Sequence, residues 1–164
     1  MNSQTYKIYG IFGVDDIKSI ARKISDEYSL GANKEALYKL LTEIAVVETN
    51  AGRAVMDINR NYGRSIMQFD KVGYNEALRQ RARVNNRDFE SEVKQGYMSD
   101  TLQKNPAFAM YLARMYFLKV NRAIPNDLNG RANYWKTYYN TYLGAGTPEK
   151  YIALVRQNLG INWS

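Results

Sequence analysis

The strongest constraint on the fold is a run of apolar residues that begins directly after Pro106 and continues to Val120. One face of this run carries apolar side chains at helical spacing, namely Phe108, Tyr111, Leu112, Met115 and Tyr116. Further apolar residues widen that face, namely Met110, Ala113, Phe117 and Leu118. A helix that is apolar around most of its circumference has to be buried. The sequence therefore predicts a central helix over residues 107–120.

Weaker amphipathic patterns indicate further helices on both sides of this segment. Asn33 is a predicted N-cap, and Thr147 followed by Pro148 is a second helix start. The predicted helices cover residues 15–28, 34–47, 128–142 and 148–158, with short helices between residues 73 and 97.

Residues 49–70 lose the helical pattern and are rich in asparagine and glycine, which indicates loops and a short hairpin. The chain has 164 residues, a length that suits one compact domain with one core. The predicted fold class is mainly α, with a small irregular or β-hairpin segment in the middle of a single domain over residues 1–164.

Cysteine and histidine are both absent. Their absence excludes disulfides, cysteine-rich zinc sites, cysteine nucleophiles and Ser-His-Asp triads. No acidic loop has calcium-binding spacing, so neither a metal nor a cofactor is predicted. The catalytic chemistry that remains depends on carboxylates.

The formal net charge is +7, which predicts attraction to an anionic partner. The basic residues form no block, and no recognition motif supports a nucleic-acid partner. No apolar stretch approaches the roughly 20 residues that span a bilayer, so no transmembrane segment is predicted. The N-terminal residues 1–13 lack a charged region followed by an apolar run, so no signal peptide is expected either.

Glu48 stands where a stripe of apolar residues predicts another apolar side chain. The stripe has spacings of four, three and four residues: Leu37, Leu41, Ile44 and Glu48. The C-terminal end of a helix is unfavourable to negative charge, and burial also disfavours ionisation, so both effects should raise the pKa of Glu48. A carboxylic acid of that kind can protonate a leaving oxygen. Alternatively, the helix ends at Val47 and Glu48 is simply exposed.

A second candidate segment runs from Gly63 to Asp70 and alternates between apolar and polar residues. In a short strand, Ile66 and Gln68 would share one face, while Met67 and Phe69 would share the other. Gln68 and Asp70 would then project together, as an amide and a carboxylate that can hold a sugar or a water. The alternative is an ordinary hairpin with an exposed edge.

A third candidate is the aromatic run Tyr138-Tyr139-Asn140, which is followed by Gly144 and Gly146. Glycine permits backbone shapes that other residues resist, so this loop could approach a ligand closely. The alternative is a plain turn between two helices.

Taken together, these segments resemble the goose-type lysozyme and soluble lytic transglycosylase group, in a bacteriophage-encoded form. The resemblance covers roughly residues 34–155 and rests on three motifs in order: Glu48-Thr49-Asn50-Ala51-Gly52, Gly63 to Gln68-Phe69-Asp70, and Tyr139-Asn140 with Gly144 and Gly146. Two departures stand out. Arg64 and Ser65 replace the usual glycine or alanine, and the glycine after Tyr139-Asn140 comes late.

The resemblance implies a lysozyme-like fold that cleaves the β-1,4 bond between N-acetylmuramic acid and N-acetylglucosamine. It makes Glu48 the catalytic acid. It places the substrate-binding residues along the saccharide cleft, namely Gln68, Tyr139, Asn140, Thr49, Gly63 and Ser65.

Two reactions remain open for this cleft. Inverting hydrolysis needs a second carboxylate, for which Asp70 and Asp57 are the candidates. A lytic transglycosylase needs only the one glutamate. Because Asp70 matches an aspartate that goose-type enzymes have after the Met-Gln run, the resemblance favours hydrolysis.

The expected partner is the glycan strand of peptidoglycan, and the chain is expected to act as a monomer. A phage protein without a signal peptide would be made in the host cytoplasm or carried in the virion, and would act on the periplasmic wall. The alternative function is a non-catalytic wall-binding or virion structural protein that keeps a lysozyme-like fold.

Overall fold

The computed structural model describes residues 9–52, 63–140 and 144–164, and these are mainly helical, as the sequence predicts. Eight α-helices follow one another along the described chain: α1 (Val14–Glu27), α2 (Lys34–Thr49), α3 (Lys71–Arg83), α4 (Glu90–Gln95), α5 (Asp100–Lys104), α6 (Pro106–Phe117), α7 (Leu128–Trp135) and α8 (Pro148–Leu159). A π-helical turn, Lys136–Asn140, continues directly from α7. No helix within these ranges is long and apolar enough to cross a membrane.

Helix α6 is the central helix that its apolar sequence predicts. Asn105 caps its first turn by accepting a hydrogen bond from the Phe108 amide, at 3.1 Å. Every residue of α6 except Ala107 is buried, and the helix packs against α1 and α3. It ends at Phe117, three residues before the predicted end, because the chain tightens into turns there. The amide of Val120, for example, bonds to the carbonyl of Phe117 rather than to a residue four positions back.

Helix α2 packs against α1 on one side and α8 on another. Its N-cap is Asn33, as predicted, and the Asn33 side chain accepts from the Ala36 amide at 3.0 Å. The helix continues to Thr49, two residues beyond the predicted end at Val47, and stops at Asn50 in the left-handed conformation. Glu48 therefore lies inside the last turn of the helix.

The prediction of a short strand over residues 63–70 was wrong. Arg64 and Phe69 pair through two backbone hydrogen bonds of 2.9 and 2.8 Å, but residues 65–68 form a tight turn between them. Ser65 and Gln68 both have positive φ angles, 72° and 50°. In this turn Ile66 and Met67 are both buried in the core, so their side chains do not lie on opposite faces as a strand would require.

The predicted short helices between residues 73 and 97 prove to be one helix of 13 residues and one of 6. The helix predicted over residues 128–142 changes to π-helical geometry after Trp135. The end of that predicted helix, residues 141–142, lies outside the described residues.

A fully buried ion pair joins α2 to α7. Arg131 donates hydrogen bonds of 2.8 to 3.0 Å to both carboxylate oxygens of Glu43, and both side chains have 0% exposure. Tyr151 of α8 donates to the same carboxylate at 2.8 Å, and Trp163 donates to it at 2.7 Å. The Glu43 carboxylate of α2 thus bonds to α7, α8 and the C-terminal segment at one point.

Removing one partner of this pair should cost far more stability than breaking an exposed pair. Arg131→Met leaves the buried Glu43 carboxylate without its cation, which we expect to lower the free energy of unfolding by about 3–5 kcal/mol. Arg22→Met is the matched control, because Arg22 pairs with Glu35 at 2.8 Å on the surface. The control should lose at most about 1 kcal/mol. Chemical denaturation followed by circular dichroism measures both, and equal losses would contradict this view of Glu43.

Candidate active site

Glu48 lies in the last turn of α2, on the wall of an open groove. Its side chain is partly buried, and its Oε1 accepts a hydrogen bond from the indole nitrogen of Trp135 at 3.0 Å. The alternative that the helix ends at Val47 and leaves Glu48 exposed is therefore wrong.

The surroundings of Glu48 favour its protonated form. Burial raises the pKa of Glu48 to about 7, while the hydrogen bond from Trp135 opposes that shift by stabilising the carboxylate. None of the described ion pairs gives Glu48 a cationic partner. Near neutral pH this side chain can therefore both release and accept a proton.

Trp135 is the site residue that the sequence did not reveal. Its ring is almost fully buried and packs against the Tyr151 ring, with centroids 5.1 Å apart. A Cβ at Gly146 would overlap the Trp135 ring, so glycine is needed there for space. The position of Trp135 one helical turn before Tyr139 was an available signal, since residues four apart share a helix face.

Gln68 holds its place through contacts within its own turn. Its amide nitrogen donates to the carbonyl of Ser65 at 2.8 Å and reaches the Tyr9 hydroxyl at 3.4 Å. A Cβ at Gly63 would overlap the Gln68 amide. Gly63 and Gln68 thus fit together on the groove wall, where the sequence placed both among the substrate-binding residues.

The π-helical turn presents Tyr139 to the groove. The Tyr139 hydroxyl donates to the Met67 carbonyl, and its ring stacks on Phe117 with centroids 5.6 Å apart. Burial, the carboxylates of Glu48 and Asp70, and Tyr116 together raise the pKa of Tyr139 well above its ordinary value. Tyr139 is therefore a neutral hydroxyl at physiological pH. π-helical turns often occur at functional sites.

Asn140 is fixed by a lysine and a glycine. Lys136 donates to the Asn140 side-chain oxygen at 2.9 Å and to the Gly144 carbonyl at 2.9 Å. A Cβ at Gly144 would overlap the Asn140 side chain. Neither Gly144 nor Gly146 has a positive φ, so both are needed for close packing and not for an unusual backbone shape.

The groove has two lobes that share Gln68 and Asn140 as lining residues. One lobe, of about 500 Å³, contains Glu48 and Trp135. The other, of about 300 Å³, contains Asp70 and Tyr139. The structure thus brings Glu48, Gln68, Tyr139, Asn140, Gly63 and Asp70 to one groove.

Asp70 has a structural role as well as a place in the groove. It is the N-cap of α3 and accepts from the Gly73 amide through Oδ1 at 2.6 Å, while its side chain is exposed. Its second oxygen, Oδ2, has no hydrogen-bond partner within the described ranges. Asp57, the other candidate for the second carboxylate, lies outside the described residues.

Two predicted substrate-binding residues are corrected, because Thr49 and Ser65 are fully buried. The Thr49 hydroxyl donates to Ala45 at 3.0 Å and accepts from the Gly52 amide at 2.8 Å, which closes the end of α2. The Ser65 hydroxyl accepts from the Met67 amide at 3.1 Å inside the turn. Neither side chain lines either pocket of the groove.

Among the residues that the structure describes, no cluster of three or more acidic side chains could hold a metal ion. No protein family, no curated protein and no solved structure matches this chain. The function of this protein therefore has to be inferred from the geometry of the groove.

Removing the indole N–H should raise the pKa of Glu48 further. Trp135→Phe keeps an aromatic ring but deletes the donor that stabilises the carboxylate, so the pKa should rise above about 7. Trp163→Phe is the matched control, because it deletes an indole donor to Glu43 instead. Carbon-13 NMR titration of the Glu48 side-chain carboxyl measures the change. An unchanged or lower value in Trp135→Phe would contradict the assigned role, and the control should leave the Glu48 value unchanged.

Proposed function

We propose that this protein is a peptidoglycan-degrading glycosidase with a lysozyme-like fold, and that it cleaves the β-1,4 bond between N-acetylmuramic acid and N-acetylglucosamine. The observation that carries the proposal is Glu48, a carboxylic acid with a pKa of about 7 on the wall of an open groove. A general acid works best when its pKa lies near the working pH.

Protonated Glu48 would donate its proton to the glycosidic oxygen as the bond to the anomeric carbon breaks. The leaving sugar departs as an alcohol, and Glu48 becomes a carboxylate. The Trp135 hydrogen bond then stabilises that negative charge. In inverting hydrolysis a water would bond to the anomeric carbon and give its proton to Asp70. In transglycosylation the muramyl 6-hydroxyl would bond there and return its proton to Glu48.

The rest of the groove suits a saccharide. Gln68 and Asn140 supply amides where the two lobes meet, and Tyr139 and Tyr116 supply aromatic surface in the smaller lobe. Sugars combine hydroxyl groups with apolar ring faces, so they bind to surfaces of this mixed kind. The net charge of +7 would draw the protein to an anionic cell wall.

Asp70 supports hydrolysis over transglycosylation. Its Oδ2, which has no hydrogen-bond partner among the described residues, can orient a water and accept its proton, as the base of an inverting glycosidase does. If no base is needed, the muramyl 6-hydroxyl attacks instead and the same bond breaks. The second candidate function, a non-catalytic wall-binding or virion protein, predicts no cleavage at all.

The acid assignment is tested by Glu48→Gln, which keeps the shape of the side chain but cannot donate the proton. We expect the variant to fold normally and to lose clearing of a peptidoglycan suspension by at least roughly 10²-fold. Glu35→Gln is the control, because Glu35 lies on the same helix in an exposed ion pair. Circular dichroism checks the fold. Near wild-type clearing by Glu48→Gln would overturn the proposal.

Asp70→Asn separates the two reactions, because asparagine is an equally good N-cap and should leave α3 intact. If Asp70 is the base, the rate of clearing should fall by roughly 10²–10⁴-fold. The fragments, analysed by mass spectrometry, should have reducing ends. Full activity in Asp70→Asn and in Asp57→Asn, with anhydro ends on the products, would establish transglycosylation instead.

A further inference from the structure

Lys119 is a cation held at a fixed place in the smaller lobe of the groove. Its ammonium donates to the Tyr116 hydroxyl at 2.9 Å and lies 4.0 Å from the centre of that ring. Tyr116 is fixed in turn, since its hydroxyl donates to the Tyr138 carbonyl at 2.6 Å. The lysine side chain remains exposed, so its ammonium is positioned without being covered.

The other charged groups of this lobe are two carboxylates, Asp70 and Glu76. Asp70 caps α3 through the Gly73 amide, and Glu76 pairs with Arg79. None of the ion pairs within the described ranges includes Lys119. An ammonium has three donors and the Tyr116 hydroxyl uses one, so two remain for a ligand.

We propose that Lys119 binds a carboxylate on a side substituent of the saccharide strand, as carried by the peptide stems of peptidoglycan. This inference rests on the proposed function and adds a specificity-determining residue to it. Lys119 and Tyr139 line the same lobe, so a sugar beside Tyr139 would carry its substituent past the ammonium. A charge-assisted hydrogen bond to a carboxylate is stronger than a neutral one. Lys119 would therefore strengthen the binding of acidic strands relative to neutral ones.

A structural role for Lys119 makes a different prediction. The methylene stem of a lysine covers an aromatic ring as an apolar side chain does. Lys119→Met keeps that cover over Tyr116 and removes the ammonium, with its charge and its hydrogen bond to the Tyr116 hydroxyl. If Lys119 merely supports Tyr116, this variant should change the affinity for acidic and neutral strands by the same factor.

The test measures binding by isothermal titration in the Glu48→Gln background, where substrates stay intact. One ligand is a tetrasaccharide of alternating N-acetylglucosamine and N-acetylmuramic acid with peptide stems, and the other is neutral chitotetraose. We expect Lys119→Met to weaken binding of the first on the order of 3- to 10-fold and to leave the second unchanged. Lys94→Met is the control, because Lys94 is an exposed lysine on α4 and lines neither lobe.

Salt provides an independent check of the same contact. In about 1 M salt the exposed charges are screened over a few ångströms, so the difference between Lys119→Met and its parent should largely disappear. Equal weakening for both ligands, or no weakening for either, would overturn the role of Lys119 and leave the proposed function standing. Failure of the parent protein to bind either ligand would overturn the proposed function, and this inference with it.

Discussion

The buried contact between Glu43 and Arg131 is the interaction on which the arrangement of the other helices depends. Removing two charges from water is costly, and the cost is offset only when every hydrogen-bonding group finds a partner. Here the carboxylate accepts from Arg131, Tyr151 and Trp163, which come from α7, α8 and the C-terminal segment. These elements must therefore meet α2 together, because a partial arrangement would leave a charge buried and unsatisfied.

The same cluster supports the candidate acid, five residues further along α2. Tyr151 bonds to Glu43 with its hydroxyl and packs its ring against Trp135, which donates to Glu48. Two glutamates of one helix thus have opposite surroundings. Glu43 has a guanidinium partner, whereas Glu48 has only a neutral indole and a raised pKa. Carboxylates whose environments differ in this way are what acid catalysis needs.

What the sequence predicted well was local and periodic. The apolar stripe of α6, the Asn33 cap and the place of Glu48 in the stripe of α2 all follow from spacings of three and four residues. Contacts between distant segments were not accessible in this way. Trp135 and Glu48 are 87 residues apart, and the pattern around Trp135 indicated only a helix. The turn over residues 65–68 was missed because two of its residues, Ser65 and Gln68, have positive φ angles, which no alternation pattern encodes.

The role of the groove glycines was also not predictable from the sequence alone. Sequence reasoning interpreted glycine near a candidate site as backbone freedom that lets a loop approach a ligand closely. In the structure, Gly63, Gly144 and Gly146 each leave the space that a groove side chain occupies. Gly146 makes room for the Trp135 ring, and the other two make room for the amides of Gln68 and Asn140. Because glycine has no side chain, its neighbour fills that space, and dense packing then leaves the neighbour few alternative rotamers. The glycines therefore contribute order to the groove, and an alanine at any of them would have to displace the side chain that it contacts.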